Sequence, residues 1–254
     1  MKRILLTGAG LAVLGIAPAM AADLPARYYT KAPAAIPLPV YSWAGFYGGL
    51  NAGGGSSRNC WTLNNVAGVP VVPNQFEGCH DATGGMVGGQ FGYRWQSASW
   101  VFGLEAQGDW TNFSGSNPSL APLSAGASNQ TRIDAIGLFT GQVGYAWNNL
   151  LWYTKGGAAV THDKYAGLLT GTGIILDQAN ETRWGGTIGT GLEYAFAPNW
   201  SVGVEYDHLF MGKSNIGFAA TTLATSRADS IKQDVDIGTV RVNYRFGAPL
   251  VAKY

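Results

Sequence analysis

Glu205 and Asp207 stand two residues apart and are the chain's best pair of carboxylates for dividing acid and base work. At that spacing they share one face of an extended strand, with no nucleophile or metal-ligand spacing beside them, so no catalytic residues and no enzymatic activity are expected. Cys60 and Cys79 are the only cysteines. They read as a disulfide closing a loop, worth about 3 kcal/mol in the chain-entropy model, or with His80 as a metal site, although the spacing matches no zinc pattern. No metal is therefore expected. His80, His162 and His208 are the only histidines. His80 and His162 are weak candidates for haem contacts and otherwise solvated imidazoles in external loops; haemin is the one cofactor considered. The glycine clusters at 53–55 and 171–173 lack the strand and helix of a phosphate-binding loop.

The elements that would position these residues have a period of two. In 183–209, Trp184, Ile188, Leu192, Tyr194 and Phe196 share one parity, and Trp200, Val202, Val204 and Tyr206 resume it after a turn at 197–199. This is a hairpin with one apolar face and one small, polar or charged face, as in a wall between lipid and a polar lumen. The same alternation marks strands at about 44–53, 84–95, 100–111, 133–147, 150–161 and 236–246. With the hairpin that makes an all-β, eight-stranded antiparallel transmembrane barrel. Short turns at 96–99, 148–149 and 197–199 alternate with long links, read as external loops, on the order of twenty residues each.

If lipid faces the aromatic parity, the lumen receives Arg94, Glu105, Asp109, Lys155, Arg183, Glu193, Glu205, Asp207, Arg241 and Arg245. Eight strands enclose a space that side chains can fill, so these charges are expected to pair into a network rather than line a broad channel. Trp43, Trp95, Trp100, Trp147, Trp152, Phe196, Trp200, Tyr244 and Phe246 cluster at the short turns and chain ends and form an expected aromatic girdle. Trp110, Trp184 and Tyr206 mark the opposite rim, and Trp61 alone falls in a loop.

Residues 1–21 carry Lys2 and Arg3, an apolar run and a small-residue exit site, the pattern of a secretory signal peptide. Residues 22–42, rich in Pro and Ala, read as a periplasmic linker, and 43–254 as the barrel. Net charge is +1 and charged residues are 12% of the chain, which excludes a basic nucleic-acid binder.

The opening WAGFYGGLNAGGG at 43–55, the closing VRVNYRFGAPLVAKY at 240–254 and the AADLP mature start resemble the outer-membrane immunogenic protein family of alphaproteobacteria, small porin-like barrels related to the OmpA transmembrane domain. The resemblance implies a cell outer-membrane location, and an even strand count with short periplasmic turns returns both termini to the periplasm. It also implies insertion by the outer-membrane assembly machinery, with Phe246 or Tyr254 in the C-terminal signal. Outer-membrane lipid and lipopolysaccharide are the expected surroundings, a host surface or haemin the further partners. The main expected role is a structural envelope barrel with surface-exposed loops; a haemin receptor and a small-solute porin are the alternatives.

Overall fold

The computed structural model describes residues 41–221 and 225–247. The expected signal peptide, nearly all of the linker and the tail after Gly247, with Tyr254, lie outside the described residues. Eight strands follow one another: β1 Gly45–Val66, β2 Val69–Ser97, β3 Trp100–Pro118, β4 Ala127–Trp147, β5 Leu150–Leu169, β6 Ile175–Ala197, β7 Trp200–Ala220 and β8 Arg227–Arg245. Each pairs antiparallel with its neighbours in sequence, and β1 also pairs with β8, which closes the barrel. Closure matters because an open sheet would leave one edge of backbone donors and acceptors unpaired in lipid.

Three two-residue turns, at 98–99, 148–149 and 198–199, lie at the end that also carries Gly45 and Arg245. Ala98 and Asn148 hold φ near +50°, as tight hairpin turns require. The links at the far end are not the long loops expected from the sequence. β1 meets β2 through Ala67 and Gly68 alone, β5 meets β6 through five residues, and β3 meets β4 through a segment containing one 3-10 turn, Pro122–Ser124. The missing length is strand: the wall runs far beyond its aromatic band.

The band and the extension differ in polarity. Within the band, exposed apolar residues such as Leu50, Phe91, Phe102, Leu104, Phe139, Ile188 and Val240 face out and charges face in. In the extension the alternation persists, but Trp61, Leu63, Ile133, Tyr165, Phe218 and Ile231 face in and are buried. A wall leaving lipid for water should exchange its two faces in this way, since apolar surface is then better placed inside.

One bulge sets the register of the extension. Met211 is an extra residue between the pairs Phe210↔Asp234 and Gly212↔Gln233, and this bulge, with Gly212 at φ +68°, inverts the parity of the rest of β7. Lys213 and Asn215 thereby turn outward, and Ile216 and Phe218 turn inward. Opposite, residues 179–185 of β6 find no register partner on β7; Arg183 reaches into this seam and donates to the Gly212 and Met211 carbonyls at 3.0 and 3.2 Å.

Candidate functional site

The lumen is filled in layers. At the short-turn end, Trp43 packs inside with Val101, Ala146, Leu151, Tyr153 and Ala195, its indole N–H donating to the Asn148 carbonyl at 3.1 Å. Trp43 is therefore not part of the girdle: it precedes β1, so strand parity does not govern it, and it is 2% exposed. The other expected girdle residues do face outward; Trp95, Trp100, Trp147, Trp152, Phe196, Trp200 and Phe246 are half-exposed and Tyr244 partly so. Trp110, Trp184 and Tyr206 are exposed at the opposite rim.

Above Trp43 lies the charged layer. Lys155 Nζ is 2.7 Å from Glu205, 3.4 Å from Asp207 and 3.5 Å from Glu105. Arg241 bridges Glu105 at 3.0 Å and Glu205, while Arg94 pairs with Glu193 at 2.8 Å. The Tyr47 hydroxyl donates to Glu105, and the Tyr153 hydroxyl to Glu205, both at 2.6 Å. Their rings lie across Gly92 and Gly191, where a Cβ would stand 2.5–2.6 Å from ring or hydroxyl atoms, so only glycine admits the crossing. Glu205 and Asp207 thus share a cation and are shut from solvent.

All ten expected lumen charges are buried, but three stand outside the ion-pair network. Asp109 accepts from Gln107 at 2.9 Å. Arg183 serves the β6–β7 seam and the Tyr165 hydroxyl. Arg245 donates to the Pro198 carbonyl at the short-turn rim. The period-two pattern places a residue on a face but carries no height along the lumen, and height decides which charges meet.

Next comes an apolar layer of Met86, Phe113, Ile133, Ile136, Leu138, Leu209, Met211, Val235 and Ile237 with small neighbours. Above it stand Trp61, Tyr165, Ile216, Phe218 and Ile231. At the far end a second charged cluster surrounds Arg227, which reaches Asp177 at 2.8 Å and both Glu77 and Asp229 at 3.1 Å. Sequence reading missed this cluster, although Arg227, Asp229, Ile231, Gln233, Val235 and Ile237 hold one parity from end to end. Among the described residues no group of three or more His, Cys, Asp or Glu side chains is placed to hold a metal.

Asp229 is pushed up to about 8, first by burial and then by the neighbouring Glu77 and Asp177, against the pull of Arg227. That lies above the ~3.9 of an unfolded aspartate, so the folded chain holds a proton that the unfolded chain releases. The contribution is complete below about pH 4 and is lost as pH rises through about 8. Raising pH from 6 to 9 is expected to lower the urea midpoint for loss of protease resistance at this end, and Asp229→Asn should flatten the dependence. A variant with the same slope would refute the assignment.

The cysteines are bonded: Cys60 and Cys79 are register partners on β1 and β2, so the bridge spans two strands rather than a loop. The histidines also sit on strands. His80 is buried in the lumen with its ring nitrogens bonded to Asn117 at 2.7 Å and Thr131 at 2.9 Å. His162 is on the outer face of β5, 3.4 Å from the Thr182 hydroxyl, and His208 pairs with Asp236 at 2.7 Å. The wall therefore separates His80 from His162, and the two do not converge on one ligand.

The family model described as "Outer membrane protein beta-barrel domain" matches residues 8–246. The 31 kDa outer-membrane immunogenic protein of Brucella melitensis biotype 1 is 34% identical over 259 residues, covering 97% of this chain and all of the relative. A 25 kDa outer-membrane immunogenic protein of Brucella abortus is 27% identical, with 82% and 81% covered. Among solved structures, the outer membrane protein OprG from Pseudomonas aeruginosa superposes with a TM-score of 0.53 at 12% identity, over 81% of this chain and 97% of that one.

Proposed function

Because the chain belongs to the outer-membrane β-barrel family, and is thus an outer-membrane β-barrel protein, we propose that it serves the envelope as a closed structural strut whose far end faces outward as an interaction surface. The observation that carries this reading is the filled lumen. A path through the barrel would have to cross the Trp43 plug, the ion-paired layer and the apolar layer in series. Opening the ionic layer alone would expose several buried charges to one another unpaired, at a cost of several kcal/mol per ion. The far end supports the interaction role by leaving Val69, Val72, Phe76, Leu120, Leu123 and Ile174 exposed on an ordered frame.

In this reading both barrel termini lie in the periplasm, the assembly machinery inserts the chain, and lipopolysaccharide surrounds the far end. An Ala125→Cys variant on intact cells should react with a membrane-impermeant maleimide, since Ala125 is exposed in the β3–β4 link. Deleting the protein should raise detergent and antibiotic sensitivity, and the refolded barrel should give no reproducible single-channel steps in a planar bilayer. Steps that change with Glu105→Gln or Arg241→Met would replace the strut with a porin. Saturable haemin binding lost in His162→Ala would replace it with a receptor.

A further inference from the structure

The outer face of the extension holds a polar pocket of about 370 Å³ lined by Asn64, Asn74, Lys213, Asn215 and Ser230. Its lining is three amides, a hydroxyl and an ammonium, with no carboxylate. Two of its polar atoms have no hydrogen-bond partner: Ser230 Oγ, on a residue 2% exposed, and the buried Asn64 Oδ1. A buried hydroxyl left unpaired carries a desolvation penalty that nothing offsets, so a donor or acceptor from outside is wanted there. Thr62, Ser230 and Asn215 lie side by side in register, which puts the unpaired hydroxyl in the middle of the wall's outer surface.

The charges point the same way. Lys213 and Lys232 are direct register partners on β7 and β8, an arrangement that destabilises a sheet when nothing neutralises it. Lys232 leans on Asp234 at 3.3 Å, whereas Lys213 makes no ion pair among the described residues. Arg58 and Asp81 continue the face on β1 and β2 beside Asp234. The Gly212 bulge is what turns Lys213 outward. Phe210, the last large exposed apolar side chain of β7, lies two register pairs below Lys213, so the pocket opens just above the height where a lipid's apolar region ends and its headgroup begins.

We propose that this pocket binds the phosphorylated sugar headgroup of an outer-leaflet glycolipid. Lys213 and Lys232 clamp the phosphate, the Ser230 hydroxyl donates to it, and Asn64 Oδ1 accepts from a sugar hydroxyl. The proposal deepens the strut reading by naming the lipid contact that anchors its outer rim, and it rests on the far end facing outward.

The test uses the full barrel refolded in neutral detergent and titrated with bisphosphorylated lipid A, dephosphorylated lipid A or inorganic phosphate, reading the thermal midpoint by heat-dependent gel mobility. Only bisphosphorylated lipid A should raise the midpoint saturably. Lys213→Gln should weaken half-saturation about tenfold, as expected for one charge-assisted phosphate contact, while matching or exceeding the wild-type midpoint without lipid. Ser230→Ala should weaken binding without loss of folding. Identical titrations of wild type and Lys213→Gln/Lys232→Gln would overturn the proposal, as would an equal rise with inorganic phosphate or dephosphorylated lipid A. Maleimide labelling at position 125 with no lipid response would sink this site and leave the outward orientation intact.

Discussion

Replacing Arg241 by Met is expected to lower the stability of the refolded barrel by about 3–5 kcal/mol, the usual result of removing one partner from a buried ionic cluster. Arg241 is 1% exposed and, among the described residues, is the only side chain that bridges Glu105 and Glu205 from the β8 side. Without it, Lys155 alone faces Glu105, Glu205 and Asp207. Arg241→Lys should recover only part of the loss, because an ammonium cannot reproduce the two-pronged contact of a guanidinium. Adding Glu205→Gln to Arg241→Met should recover part of it by another route, removing the charge that was stranded. Urea midpoints read by heat-dependent gel mobility would decide; an Arg241→Met barrel as stable as wild type would mean the layer admits water.

Trp61→Ala should cost about 3–5 kcal/mol, confined to the extension. Trp61 is fully buried, with ring centroids 5.6 Å from Tyr165 and 5.4 Å from Phe218, and the Arg227 guanidinium 5.6 Å from its ring. Truncation leaves a cavity between two hairpins that are otherwise held by their ladders and the Cys60–Cys79 bridge. The expected signature is new protease cleavage in residues 59–80 while the aromatic band stays resistant. Trp61→Phe should be nearly neutral, because it keeps a ring in place and removes an indole N–H that has no hydrogen-bond partner. Global unfolding of Trp61→Ala, with no intermediate, would show that extension and band form a single cooperative unit.

Both effects concern residues whose roles the sequence disclosed unequally. Arg241 was legible because lipid contrast is strong: Val240, Val242 and Tyr244 alternate with Thr239, Arg241 and Asn243, and only one face can meet hydrocarbon. Trp61 was not, because apolar residues on the outward parity mark only the part of a strand that meets lipid. Ser57, Asn59, Trp61 and Leu63 do keep period two, but with the apolar members inside. Once the wall leaves the band, the outward apolar signal ends and continuous strand resembles loop. His80 and the Arg227 cluster were hidden for the same reason. Trp43 was misplaced because a residue ahead of the first strand obeys packing rather than parity, and the lumen had room for one indole at its mouth.

The exchange of faces along each strand also bears on how such a surface can diversify. From Arg58 onward on β1 and from Lys232 back to Ala228 on β8, the outward positions pack against nothing in the lumen, while the inward ones interlock. Backbone ladders and the Cys60–Cys79 bridge hold the frame whatever the other outward side chains are. Alternate residues of each strand are thereby largely uncoupled from folding, and a lineage could repaint what it shows to its surroundings, position by position, on an unchanged skeleton.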